Sequence, residues 1–272
     1  MIMNSFLFLQ GIGRRGESKL WNKGIRNWDD FLRAKSIAGI SSARKAYYDR
    51  KIIEARKNLF SLNSSYFYDK LPASEQWRLY EFFKEDAVFL DIETTGLSDN
   101  AQVTVVGLFD GIDTKTMIRN INFDEGILKN EILKYKLVVT FNGASFDIPF
   151  LSKRYQNLVP RIPHFDLRFA CSRIGLKGGL KTIERKLGIE RQNNIVRELR
   201  GGDAIELWKT FKVTGDSYYL KLLIEYNEED IINLKLIANR IYEILKKNLM
   251  PDCVENDSYL NNSLSARNMI ND

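Results

Sequence analysis

Asp91 and Glu93 are the residues whose type and spacing speak most directly of chemistry. They lie in Leu90-Asp91-Ile92-Glu93-Thr94-Thr95-Gly96-Leu97, directly after the apolar run Ala87-Val88-Phe89-Leu90. Side chains alternate faces along a strand, so two acids separated by one residue project to the same side. Carboxylates held that close repel each other and raise each other's pKa. A divalent cation between them relieves the repulsion. An isolated Asp-x-Glu is more often an exposed strand end, but this pair closes an apolar strand and runs into Thr-Thr-Gly-Leu. Gly96 allows a tight turn there, so that backbone can approach a ligand closely.

Two further acids are less telling alone. Asp147 lies in Thr140-Phe141-Asn142-Gly143-Ala144-Ser145-Phe146-Asp147. A strand ends there, Asn142-Gly143 turns, and a helix is expected to start near Ser145. Taken alone, such an Asp reads first as a plain helix-start residue. Tyr226 and Asp230 are four apart in a long amphipathic stretch and so share a face. Leu222, Leu223, Ile231 and Leu234 surround them. An ordinary surface pair would look the same, although Glu228 and Glu229 fit that description better than Asp230.

The elements that must position these residues can be read from periodicity and punctuation. The front part, to about Glu85, reads as helical. One helix begins at Trp28 with acids in its first turn, another covers Ser41 to Asn58, and a third covers Ser74 to Lys84, after Pro72. Met1 to Leu9 is apolar but lacks a basic start and a cleavage site, so it is expected to be a first strand or helix, not a signal peptide. Strands are predicted at Ala87–Leu90, Gln102–Phe109, Lys115–Ile121 and Leu137–Phe141. Asp124–Lys134 reads as a helix, Gly179 to Gly188 as a helix with a glycine stop, and Tyr218–Lys247 as a long helix or helix pair. Leu207-Trp208 is expected in the core. This pattern predicts an α/β fold, a mixed sheet with helices packed on it. Three parts are expected: residues 1–85, a helical and basic region; 86–248, the sheet domain; and 249–272, a flexible tail rich in Asn, Ser and Asp.

In order and spacing, the three acidic segments resemble the DEDD superfamily of ribonuclease H-like 3′→5′ exonucleases, in its tyrosine-type branch. The resemblance covers about residues 86–245. It implies a ribonuclease H-like mixed sheet and two divalent cations, Mg²⁺ or Mn²⁺, held by Asp91, Glu93, Asp147 and Asp230. It also implies a role for Tyr226 in orienting the attacking water. The terminal nucleotide would rest on Thr94, Thr95, Gly96, Leu97, Asn142 and Phe146. The histidine-type branch requires a His five residues before the last Asp. Glu225 holds that position, and His164 is the sole histidine. His164 and Asp166 are expected to be structural or to line the substrate groove.

The net charge of +6 is uneven. Residues 1–85 carry 16 Lys+Arg against 9 Asp+Glu, and the remainder carries 25 against 26. Such a front suits a polyanion such as DNA or RNA, although a basic helix is often only a solvated face. Phe8 to Trp21 resembles a helix-hairpin-helix element whose Gly11-Ile12-Gly13 turn, with Arg14 and Arg15, would meet phosphate. A purely structural turn is the alternative. Lys181 and Arg191 could touch phosphate or simply be solvated. Cys171 and Cys253 lie too far apart for a metal-type pair. No apolar run reaches membrane-spanning length, and a cytoplasmic protein is expected. The functional expectation is a metal-dependent 3′→5′ exonuclease on DNA or RNA. The alternatives are a ribonuclease H-type endonuclease and a nucleic-acid-binding module with a silent centre.

Overall fold

A computed structural model describes residues 1–199 and 201–250. Among them, one sheet is built from β1 (Ala87–Thr94), β2 (Val103–Phe109), β3 (Thr114–Ile118), β4 (Leu137–Thr140) and β5 (His164–Asp166). The order is β3-β2-β1-β4-β5, which makes β1 central. β1 pairs antiparallel with β2, and β2 with β3, while β1, β4 and β5 run parallel. The predicted mixed sheet is present, with β1, β2 and β3 forming an antiparallel meander. The helices α1 (Arg14–Asn22), α2 (Trp28–Arg33), α3 (Ser42–Phe60), α4 (Ser65–Tyr68) and α5 (Tyr80–Phe83) precede the sheet. The helix α6 (Glu125–Ile132) leads from β3 to β4, and α7 (Asp147–Arg154) follows β4. After β5 come α8 (Leu167–Arg173), α9 (Leu180–Leu187), α10 (Asn194–Glu198), α11 (Gly201–Thr214) and the single long α12 (Ser217–Leu249).

The alternation of β1 decides which face carries chemistry. Val88, Leu90 and Ile92 enter an apolar cluster with Leu128 and Ile132 of α6 and Phe150 and Leu151 of α7. Phe89 points the other way, into a cluster with Ile231, Leu234 and Ile237 of α12. Asp91 and Glu93 continue the Phe89 side. Toward its end, therefore, the strand presents acid to α12 in place of hydrocarbon. The pairing of β1 with β2 shifts register between Glu93 and Thr94, an irregularity of the kind that re-aims side chains at a strand end.

Local chemistry accounts for the helix ends. Asn27 and Asp30 form a capping box on α2. Gly188 ends α9 in the left-handed conformation at φ 64°. Leu207 and Trp208 are buried, as expected.

The front region departs from its expected form in two places. Met1 to Leu9 makes only a 3-10 turn at Ile2–Asn4. Ser5 Oγ and the Phe6 N–H donate instead to the buried Glu17 carboxylate, so contacts from α1 take the place of a helix ladder. The Gly11-Ile12-Gly13 turn thus leads into α1 without an α-helix ahead of it. The expected helix at Ser74–Lys84 is a 3-10 segment (Ala73–Leu79), then α5, then a 3-10 turn (Lys84–Asp86). Side chains three apart eclipse in a 3-10 helix, which suits the Glu75–Arg78 ion pair at 2.6 Å. The front core is also continuous with the sheet core, because Phe6, Trp28, Phe31 and Leu59 share a cluster with Phe89, Phe165 and Tyr242. The expected flexible tail and Cys253 fall almost wholly outside the described residues. Among those residues, no helix is long and apolar enough to cross a membrane.

Candidate metal centre

Asp91, Glu93 and Asp230 converge, each offering a carboxylate oxygen within 4.8 Å of the others. β1 supplies two of them and α12 the third. The close approach of α12 depends on Gly107, which lies opposite Asp91 in the β1–β2 ladder. A Cβ at Gly107 would lie 2.0 Å from Asn227 Oδ1. In the space so left, Asn227 Nδ2 donates to Asp91 Oδ2 at 2.9 Å. Asn227 is fully buried, and its Oδ1 has no hydrogen-bond partner. Sequence reasoning passed over this residue. The available signal was Gly107 inside the β-branched and apolar Val103–Phe109 strand, which marks close approach of another segment.

Asp147 is held differently. β4 pairs with β1 only over Ala87 to Phe89, so the N–H groups further along that edge need another acceptor. Asp147, the first residue of α7 and 2% exposed, accepts from the Ile92 N–H at 3.1 Å. It is thereby tied to the backbone between Asp91 and Glu93. The N-terminus of α7 also favours a carboxylate at this place.

Tyr226 is 7% exposed and shares the buried face of α12 with Asp230. Two cations bracket its ring, with Lys181 Nζ 5.1 Å and the Arg191 guanidinium carbon 5.6 Å from the centroid. Arg191 is buried rather than solvated. It pairs with Glu184 at 2.9 Å and donates a second, short hydrogen bond to Asp230. Asn233 Nδ2 also donates to Glu184, at 2.9 Å. Lys181 spends its ammonium on the carbonyls of Val196, Arg197 and Leu199. Both residues therefore brace the centre, and neither stands free on the surface.

Burial and mutual repulsion set the electrostatics. Desolvation, then the charges of Asp147, Glu93 and Asp230, push Asp91 well above the usual carboxylate range. Desolvation, then Asp230 and Asp147, does the same to Glu93. Burial lifts Asp147 to about 7, against hydrogen bonds from its own N–H and that of Ile92. Burial lifts Asp230 to about 6, with Arg191 opposing. Burial and the nearby carboxylates push the Tyr226 phenol up. Among the described residues no Lys or Arg is ion-paired with Asp91 or Glu93. An all-oxygen donor set with excess negative charge suits a hard divalent cation such as Mg²⁺ or Mn²⁺.

The residues expected around a terminal nucleotide fall into two loops at the ends of β1 and β4. Thr94 Oγ1 donates to the Gly96 carbonyl at 2.8 Å, and Gly96 adopts φ 153°. The Thr95 hydroxyl accepts from the Gln102 N–H, and Leu97 is 83% exposed. Asn142 adopts φ 69°. Asp166 fastens that loop by accepting the N–H groups of Asn142 and Ala144 at 3.0 and 2.9 Å. Phe146 rests against Phe150. His164 Nε2 bonds Thr140 Oγ1 at 2.8 Å, and burial lowers its pKa. Asp166 and His164 thus hold the loop that carries Asn142 and Asp147. Gly11, Gly13, Arg14 and Arg15 lie at the exposed start of α1, far along the chain from the acids, and Arg14 pairs with Glu75.

No curated protein matches the chain. A family B DNA polymerase from the hyperthermophilic archaeon Pyrobaculum calidifontis is similar in structure, at 16% identity and a TM-score of 0.45. That match covers 60% of this chain and 25% of the polymerase chain, so the chain spans at most about a quarter of that protein's length. A sequence model described as RNase_H_2 of the RNase H superfamily matches residues 88–242, more than half of the chain. Asp91, Glu93, Asp147, Tyr226 and Asp230 all fall inside that span, and the chain belongs to the RNase H superfamily, which supports a nuclease.

Proposed function

We propose that this protein is a 3′→5′ exonuclease of the tyrosine-type DEDD branch, hydrolysing phosphodiester bonds of DNA or RNA with two divalent cations, Mg²⁺ or Mn²⁺. The observation that carries the reading is the convergence of Asp91, Glu93 and Asp230 beside Tyr226. Asp91, Glu93, Asp147 and Asp230 would hold the cations. Divalent cations, when bound, supply the Lewis acidity that lowers the pKa of an attacking water and stabilises the leaving oxygen.

The chain's own groups account for the remaining work. Asn227 fixes one oxygen of Asp91, leaving the other to a ligand. Arg191 holds one oxygen of Asp230 in the same way. Tyr226 keeps its proton, because burial and neighbouring acids raise its pKa. Its hydroxyl therefore suits an orienting hydrogen bond to the attacking water, not proton abstraction. The loops at Thr94–Leu97 and Asn142–Phe146 offer the exposed Leu97 side chain and the half-buried Phe146 ring to a terminal nucleotide, contacts that do not read sequence.

The test is incubation with Mn²⁺ and end-labelled single- and double-stranded DNA and RNA, with Asp91→Asn protein as control. A ladder of mononucleotides released from the 3′ end is expected. Internal cuts alone would replace the reading with a ribonuclease H-type endonuclease. Full activity in the Asp91→Asn, Asp230→Asn double variant would remove the nuclease assignment.

A further inference from the structure

A cavity of about 490 Å³ lies beside β5, where the front region meets the sheet. Its walls come from both parts of the chain: Ser74 and Trp77 from the 3-10 segment, Ala144 from the loop after β4, and Phe169 and Ala170 from α8. The size falls in the usual small-ligand range of roughly 300–1,000 Å³. The RNase H superfamily match begins at residue 88, so Ser74 and Trp77 lie outside the matched span.

Position, wall chemistry and charge define the occupant. The parallel strands β1, β4 and β5 end on the same edge of the sheet, where ligands of open α/β sheets bind. Asp91 and Glu93 lie near that end of β1, Asn142 follows β4, and Asp166 ends β5. Two inter-strand steps separate β1 from β5, about 10 Å. A strand leaving the carboxylates along this edge passes the Asn142–Asp147 loop and reaches the cavity within a few nucleotides. Ala144, in that loop, is part of the cavity wall.

The walls are apolar and aromatic. Phe169 is 52% exposed although it lies beside buried Ala170 and Trp77, so one ring stands open to stacking. Flat apolar walls accept any nucleobase, since every base has a π-face. The rim carries two guanidinium groups, while the one acid of the lining, Asp166, is engaged by the N–H groups of Asn142, Ala144 and Arg168. Arg14 and Arg173 both line the cavity and share the single buried carboxylate of Glu75, at 2.5 and 3.2 Å. Glu75 also pairs with Arg78, so the guanidinium groups around it outnumber it. Exposed Arg168 adjoins Phe169.

We infer that this cavity is a subsite for an unpaired nucleobase of the substrate strand, a few nucleotides upstream of the end held at the carboxylates. The inference rests on the nuclease reading above for the identity of the polymer. The base stacks on Phe169 against the Trp77 wall, and Arg14 and Arg173 face the adjoining phosphates. The front region thereby lengthens the grip on single-stranded nucleic acid.

The test is fluorescence anisotropy of labelled single strands, from dinucleotide to decanucleotide, with Ca²⁺ as the only divalent cation so that binding is read without cleavage. Wild-type affinity should rise in a step once the strand is long enough to reach the cavity. Phe169→Ala should shrink that step by about tenfold, the scale of one lost aromatic stack. Ser172→Glu, an exposed change on the rim, should weaken the long strands and leave less salt dependence. Ile112→Ala, in the distant β2–β3 turn, should keep the full step. A smooth length dependence in the wild type, or a step unchanged in both Phe169→Ala and Ser172→Glu, would overturn the subsite. Binding with the step but no cleavage in Mn²⁺ would instead remove the nuclease reading and leave the base-binding site standing.

Discussion

Two buried charge clusters in this molecule follow opposite plans. In the front region, Arg78 lies fully buried between Glu17 at 2.9 Å and Glu75 at 2.6 Å. The Ser5 hydroxyl and the Phe6 N–H complete the Glu17 shell. Charges alternate in sign, so each carboxylate of the cluster has a guanidinium partner. At the end of β1, Asp91, Glu93, Asp147 and Asp230 crowd together, with Arg191 as counter-ion at one edge. Burial raises the pKa of Glu17 as well, but Arg78 opposes the rise. At Asp91 and Glu93 the neighbouring carboxylates add to it. A matched cluster holds segments together. An unmatched one is held by the surrounding fold in spite of its charges, and so retains a demand for cations from solution.

The comparison breaks most visibly at Asp91. Asp91→Asn should lower cleavage by about a thousandfold or more, since several kcal/mol of charge stabilisation go with the cation. The same change should raise the melting temperature of the metal-free protein, because it relieves repulsion. A calorimetric scan in EDTA that shows a lower melting temperature would contradict the unmatched plan. The opposite pattern is expected at Arg78. Arg78→Met should cost about 3–5 kcal/mol of stability by leaving the buried Glu17 without a cation, as read from urea midpoints. Its rate per folded molecule should stay near wild type.

Tyr226→Phe sharpens the account of the centre. It should slow cleavage by about a hundredfold, the scale of one lost donor in an active site, while Mn²⁺ affinity by calorimetry is preserved. Lost metal binding would mean that the hydroxyl serves the acids and not the water. The smallest effect is on pH dependence. Burial pushes Asp147 up to about 7 and Asp230 up to about 6 in the folded protein, against about 3.9 for an ordinary aspartate. The native state therefore binds more protons than the unfolded chain across that interval. This stability is complete below the unfolded pKa and is lost as pH rises through 6 and 7. In EDTA the melting temperature should fall by a few degrees as pH rises through that window, and Mn²⁺ should flatten the fall. A melting temperature that rises over the same window without metal would mean that the acids are already neutralised within the protein.

Much of the site was legible because it is written in short-range periodicity. Asp91 and Glu93 share a side through strand alternation, and Tyr226 and Asp230 share a face through helical spacing. Each relation spans at most four residues and survives any packing of the element that carries it. The expectations for Arg191 and Lys181 were too coarse, since a basic residue in a loop or helix reads as solvated or phosphate-facing. Arg191 instead spends its charge on Asp230 and Glu184, and Lys181 on the carbonyls at the end of α10. The front region was legible as helical, with α2 and α3 close to their expected places. Its 3-10 segment was not, because the Glu75–Arg78 pairing that suits it also involves Glu17, far away in the chain.

The residue pattern alone thus determined that the chain forms a mixed α/β sheet with an acidic pair at the end of an apolar strand and a tyrosine-aspartate face on the last helical stretch. It could not determine what completes that centre. Asn227 meets Asp91 across 136 positions, and Arg191 meets Asp230 across 39. Both contacts depend on how closely α12 lies against β2, a distance set by the missing Cβ of Gly107. The continuity of the front core with the sheet, and the cavity between them, likewise arise only when segments distant in sequence pack together. Alternation and helical spacing are properties of one segment, whereas counter-ions and cavities belong to pairs of segments, and the pairing is settled by the burial of the whole apolar surface at once.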